Sequence, residues 1–251
     1  MEMNFRPTFW PTVFTVPAVL LMLGLSVWQV QRLYWKEGLI AERTSRIGAP
    51  AMALPGTAAL GAADLAGLEY RHVQAQGQFL NDKEIFLGAR TFEGDAGYHV
   101  ITPFRLADGR AVLVDRGWIP LDRKQAAKRS SGEIQGPTLV DGVIRLQGRQ
   151  TWFVPDNRPD LDFFFWIDLP TMAKLAGLPA TETRFYVEAG PGKNPGGLPI
   201  GGQTRIDLPN DHLQYAITWF CLAIALVVIY VLYHRQLADK AAAPPKTETP
   251  A

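Results

Sequence analysis

The chain has 251 residues, with 25 Lys plus Arg against 24 Asp plus Glu, and a net charge of +1 leaves no electrostatic footprint for nucleic acid. A single cysteine, Cys221, excludes an intramolecular disulfide and any cysteine-based metal or redox centre. Charge is unevenly spread: residues 9–30 and 213–233 carry no Asp, Glu, Lys or Arg, whereas the 182 residues between them hold 21 basic and 21 acidic side chains.

Residues 9–30 predict a helix that crosses a bilayer, because 22 residues at about 1.5 Å each reach roughly 30 Å. A cleaved signal peptide fits poorly, since its apolar core is only about 7–15 residues long. The run ends instead in Trp28, Gln29, Arg32, Tyr34, Trp35 and Lys36, an aromatic and basic collar suited to a membrane surface. Pro11 sits harmlessly in the first turn, and Pro17 predicts a bend. The helical pattern persists to about residue 46, where Pro50 and Pro55 end it.

Residues 51–67 are rich in Ala and Gly and suit a short helix or a connector. Strands follow at 70–79 and 85–90, read as a hairpin around Asn81-Asp82, and at 97–106 and 110–119, a second hairpin around Asp108-Gly109. Further strands are expected at 138–146, 163–167 and 184–187. A helix is predicted at 168–176, with Asp168 as cap and Pro170 in the first turn. Residues 190–202 read as a Gly/Pro loop. Residues 213–233 predict a second span.

The fold class is therefore α+β: a two-span transmembrane helical hairpin carrying a mainly antiparallel β domain, with a small barrel as one closure of it, and a few short helices. The expected organisation is a cytoplasmic N-terminus at 1–8, the first span at 9–30, a periplasmic domain at 47–209, the second span at 210–233, and a disordered cytoplasmic tail at 234–251. Positive charge is divided on orientation. Arg235, Lys240 and Lys246 place the C-terminus inside, while Arg32, Lys36, Arg43 and Arg46 after the first span argue the opposite; termini inside is the reading adopted.

No G-x-S-x-G, H-E-x-x-H, Walker or dinucleotide motif occurs, so no hydrolase or nucleotide enzyme is indicated. Interest falls on the inner span boundaries. Trp28, Arg32 and Trp35 share one helix face, and His212, Tyr215 and Trp219 share another; at one membrane surface the two sets are expected to face each other. An aromatic belt with a snorkelling arginine accounts for most of them, but an imidazole at the mouth of a span is also a ligand in a half-apolar setting. Such a place suits a metal macrocycle, with His212 to iron, indoles on its faces and Arg32 to a propionate. His72 and His99 read as sheet-face residues, and His234 lies at the far boundary. The basic run 123–129 reads as a solvated helix face. Asp115-Arg116-Gly117-Trp118 reads as an ion pair with a tight turn, and Asp156, Asp160 and Asp162 as turn formers.

The segments GLSVWQVQRLYWK (24–36), YRHVQAQGQF (70–79), GYHVITPF (97–104), VLVDRGWIP (112–120) and NDHLQYAITWF (210–220) together resemble the Surfeit-locus protein family in its bacterial form. The resemblance implies an inner-membrane protein with two spans, its large domain in the periplasm and both termini in the cytoplasm. It implies assembly of haem-copper terminal oxidases such as cytochrome c oxidase, with haem a as cofactor or cargo. Expected partners are the haem-bearing oxidase subunit, haem a synthase and the lipid bilayer. His212 matches the family histidine implicated in haem binding, whereas the roles of Trp28, Arg32, Trp35, Tyr215 and Trp219 are spatial inferences. The alternative is a scaffold that grips oxidase subunits without carrying haem. An enzyme acting on haem or lipid is the least supported reading, for want of a catalytic constellation.

Overall fold

A computed structural model describes residues 7–56, 61–178, 180–206 and 208–242. The chain divides into two compact units, one formed by Met1–Ala41 with Asp207–Ala251 and the other by Glu42–Ile206.

The first unit is a pair of helices. α1 (Phe9–Gly48) runs unbroken across Pro17, and α4 (His212–Ala242) is its partner. Both are long and apolar enough to cross a membrane. Large apolar side chains such as Phe14, Leu20, Leu21, Ile217 and Ile229 stand exposed, an arrangement compatible with apolar surroundings. What is buried lies along one seam. Ala216, Ala223, His234 and Ala238 recur on α4 at helical spacing, and Gln29 is the buried residue of α1 among those described.

Polar contacts along that seam show the helices to be antiparallel. His234 Nε2 accepts from the Thr8 backbone N–H at 3.0 Å, the Thr12 and Tyr230 hydroxyls meet at 2.5 Å, and Ser26 Oγ donates to Ala216 O at 2.9 Å. Gln29 meets His212, and Lys36 donates to Pro209 O. Each contact pairs a rising number on α1 with a falling one on α4. α4 continues past the expected span end, so the disordered tail predicted from residue 234 is corrected: 234–242 are helical. The cause is local, since His234 Nδ1 donates to Tyr230 O at 2.8 Å and Ala238 packs into the seam. The remainder of the predicted tail, 243–251, lies outside the described residues, as do residues 1–6 of the predicted N-terminal segment.

The second unit is an eight-stranded, mainly antiparallel sheet with short helices. Its strands are β1 (Met52–Ala53), β2 (His72–Phe79), β3 (Ile85–Phe92), β4 (Asp95–Leu106), β5 (Ala111–Pro120), β6 (Pro137–Leu146), β7 (Phe163–Phe164) and β8 (Phe185–Ala189). They lie in the order β1-β2-β6-β8-β5-β4-β3-β7, and β2 also pairs with β4. The pairings β2–β6–β8–β5–β4–β2 thus return to their starting strand. Three pairings are parallel, β1–β2, β3–β7 and β5–β8. The closing contact needs Gly77, because a Cβ there would come within 2.2 Å of Arg105 O.

The hairpin expected around Asn81-Asp82 does not form. β2 pairs with β6 and β4, and β3 pairs with β4 and β7. Asn81 instead opens a short 3₁₀ turn (Asn81–Lys83) and donates from Nδ2 to Ile134 O at 3.0 Å. The turn that joins β3 to β4 is Glu93-Gly94, both at positive φ, a two-residue hairpin turn that the sequence reading passed over. The Asp108-Gly109 hairpin forms as expected between β4 and β5. The predicted helix is α3 (Leu169–Ala176), with Asp168 Oδ1 accepting from Thr171 N at 3.3 Å. The Ala/Gly-rich stretch holds β1 and a short α2 (Ala62–Leu68).

The main core packs Phe79, Phe104, Val112, Val114, Ile144, Phe185 and Val187 from five strands. Burying each such side chain contributes about 1.5–3 kcal/mol. A second cluster places Leu169 and Met172 of α3 against Ile101, Leu113 and Phe164.

Beside the core lies a buried ionic group. The basic run 123–129 is solvent-facing at Arg123 and Lys128 but not at its end: Arg129 is buried and its guanidinium grips Glu84, with a further bond to Glu133 at 3.2 Å. Arg116 is also buried, 3.6 Å from Glu84, and donates to Gly132 O and to Asn81 Oδ1. Burial pushes the Arg116 guanidinium below its ordinary value; burial and then the charge of Glu84 push the Glu133 carboxyl up.

Candidate functional site

His212 opens α4 and is half-buried in the helix seam. Its Nδ1 lies 2.7 Å from Gln29 Oε1. A carbonyl oxygen only accepts, so Nδ1 carries the hydrogen, and in the neutral ring Nε2 has the lone pair. Nε2 has no protein partner among the described residues. One ring nitrogen is thus held by a second group and the other is open. Two residues earlier, Asn210 Oδ1 is buried with no donor to it among the described residues.

The expectation that Trp28, Arg32 and Trp35 face His212, Tyr215 and Trp219 is corrected. The seam on α1 is carried by Ser26, Gln29, Leu33 and Lys36, which are buried or partly buried. Trp28, Arg32 and Trp35 each precede a seam residue by one position, a rotation of about 100°. Trp28 and Trp35 are accordingly half-exposed, at 52% and 50%, and the Arg32 guanidinium stacks over the Trp35 ring at 3.8 Å. On α4, His212 and Trp219 lie in the seam with Ala216, whereas Tyr215 is 54% exposed. Tyr215 too precedes a seam residue by one. In an antiparallel pair of right-handed helices that shared lag turns Tyr215 to the same outer side as Trp28, Arg32 and Trp35. No slot separates the helices at this level, because Ser26–Ala216 and Gln29–His212 contacts close it. The geometry offers instead an exposed aromatic and basic face beside a histidine set in the seam.

Gln29 is the site residue that sequence reasoning missed. It sits among the collar residues, and its signal was the spacing of 3, 4 and 3 through Ser26, Gln29, Leu33 and Lys36, which marks the buried stripe.

Of the other histidines, His72 and His234 are held at both nitrogens and His99 at one. His72 has Nδ1 3.2 Å from Ala49 O and Nε2 3.1 Å from Asp141 Oδ1. Burial works to raise the Asp141 carboxyl, but hydrogen bonds from Gln74 and His72 outweigh it and hold it below its usual value. His234 is a staple between helix ends, bonded at both nitrogens. His99 Nδ1 lies 2.7 Å from Asp115 Oδ2, a part-buried pair joining β4 to β5. Asp115 Oδ1 also accepts from Gly117 N at 2.9 Å, and Gly117 holds a φ of +112° with Ile200 O where a Cβ would stand. The tight turn expected at Asp115-Arg116-Gly117-Trp118 is corrected: the segment lies inside β5, which runs on to Pro120, and Asp115 and Arg116 pair separately with His99 and Glu84. Arg158 and Asp160 pair in an exposed turn, and Asp162 occupies its left-handed corner. Among the described residues no three His, Cys, Asp or Glu side chains converge as a metal cluster.

The model of the SURF1 family matches residues 16–224. A SURF1-like protein of Monosiga brevicollis is 37% identical over 254 residues, covering 96% of this chain and 94% of the relative. Surfeit locus protein 1 of Mus musculus is 36% identical over 217 residues, covering 80% and 68% of the two chains. The Homo sapiens protein of that name is 37% identical over 218 residues, covering 80% and 70%.

Proposed function

The chain belongs to the SURF1 family, and on that premise we propose that it is a non-catalytic assembly factor for a haem-copper terminal oxidase, carrying haem a to the haem-bearing subunit. The observation that carries this reading is His212, whose Nδ1 is held by Gln29 while Nε2 stays open. His212 would hold the iron. Trp28, Trp35 and Tyr215 supply an apolar aromatic surface on the adjoining outer side, Arg32 supplies a charge for a propionate, and Trp219 lies two turns along the seam from His212. Haem brings an iron centre and a planar apolar ring; the chain's part is to bind, orient and shield it until transfer.

In this reading α1 and α4 span the bacterial inner membrane as a hairpin, the sheet unit stands in the periplasm as a small barrel, and both termini are cytoplasmic. Haem a synthase is the expected donor, and the oxidase subunit the acceptor. The test is to purify the full chain from cells that make haem a, extract its haem and identify it. Haem a bound in stoichiometric amount is expected. Protein free of haem but still holding oxidase subunits would replace this account with the scaffold one.

A further inference from the structure

A cavity of about 520 Å³ opens among β3, β4, β5, β6, β8 and the segment 203–205 of the sheet unit. Two carboxylates reach it, and the protein itself occupies both. Asp115 takes His99 and the Gly117 N–H. Glu188 accepts from Arg145 Nη1 at 3.0 Å on each oxygen, from the Tyr186 hydroxyl at 3.0 Å and from Thr204 Oγ1 at 2.7 Å. The charge on Glu188 and its companions leaves a mark: burial works to lower the Arg145 guanidinium, but the carboxylate holds it above its usual value. Burial and then the same carboxylate push the Tyr186 hydroxyl up. Arg145 also bonds Glu69 at 2.9 Å, so its charge is matched.

The cationic side is not matched. Arg90 makes a single 3.5 Å bond to Ala89 O, and Arg205 has no hydrogen bond or ion pair among the described residues. His99 has Nδ1 tied to Asp115, and Nε2 on the opposite side of the ring has no protein partner among them. The acceptors hold donors already, while among the described residues the Arg205 guanidinium, most of the Arg90 fork and one imidazole nitrogen have no partner. Guanidinium forks match phosphate oxygens two at a time, and the imidazole nitrogen takes or gives a hydrogen at a third.

We propose that this cavity binds a phosphate group, with Arg90 and Arg205 clasping its oxygens and His99, oriented by Asp115, meeting another at Nε2. The phosphate belongs either to a small soluble ligand or to a lipid headgroup, and both present the same oxygens. The site is independent of the haem reading, since none of its residues lies on the helix pair.

The test is calorimetry on the full chain in detergent, with inorganic phosphate as one probe and monomeric dihexanoyl phosphatidic acid as the other. Saturable binding of at least one probe is expected; preference for the first identifies a soluble ligand and for the second a headgroup. Arg90→Gln with Arg205→Gln should weaken the preferred probe at least tenfold. The exposed Arg205→Gln alone, which leaves the folded core untouched, should weaken it at least threefold. Arg149→Gln, an exposed arginine outside the cavity, should change nothing. Absence of saturable binding by either probe at millimolar concentration overturns the proposal, as does wild-type affinity in Arg205→Gln and the folded double variant.

Discussion

Glu84 is the carboxylate on which two buried arginines depend, and Glu84→Gln isolates that dependence with almost no change of shape. The Glu84 side chain is 6% exposed, those of Arg116 and Arg129 are 2% and 1%, and Arg129 engages both carboxylate oxygens. Glutamine would replace one acceptor oxygen with an NH₂ that points hydrogens at a guanidinium. Glu133 remains for Arg129, but Arg116 is left with only Asn81, Gly132 O and the face of Phe79 at 4.5 Å. Removing one partner from a buried ionic group costs about 3–5 kcal/mol, because an uncompensated charge stays behind. For a domain of this size that lowers Tm by roughly 6–20 °C, at about 2–4 °C per kcal/mol. The assay is urea and thermal unfolding of the full chain in detergent, followed by tryptophan fluorescence and near-UV circular dichroism. Arg116→Met added to Glu84→Gln should recover part of the loss, since it removes the stranded charge. A loss below about 1 kcal/mol for Glu84→Gln alone would refute the reasoning, showing that the arginines find water or other partners.

Gln29→Leu removes the acceptor that fixes His212 Nδ1 and should weaken haem retention about 10–100-fold, as loss of an orienting partner does at metal sites; equal affinity in a spectroscopic titration would separate Gln29 from the site. Asp141 has a folded value held below its ordinary 3.8, so its contribution is present above that value and is lost as pH falls through the lower folded one. The gap in Tm between wild type and Asp141→Asn should therefore close as pH falls below 3.8, and a gap constant with pH would contradict the assignment.

The parts of the fold that were legible in the sequence rest on local physics. Two charge-free runs marked the helices, Asp108-Gly109 marked its hairpin by demanding positive φ, and Asp168 with Pro170 marked α3. What was missed depends on partners far along the chain. Asn81-Asp82 has the composition of a turn, yet β2 departs from β3 because Gly77 lets it close on β4. Arg129 looks like one of several surface cations until Glu84, 45 positions earlier, is placed beneath it. The candidate site divides the same way. The place of His212 at the start of the second apolar helix was legible, but the one-residue phase that puts Gln29 in the seam and Trp28, Arg32 and Trp35 outside depends on how two helices rotate against each other. His99 and Asp115 are each unremarkable in sequence, and the register shift between His99 and Ile101 in the β4–β5 ladder brings them together.

The most direct measurement of the central claim is the haem spectrum of His212→Gly, purified as the full chain from cells that make haem a, with and without added imidazole. The account predicts that the variant folds, loses the haem band, and regains it when imidazole fills the space left by the side chain. A haem band of undiminished intensity in His212→Gly without imidazole would contradict it.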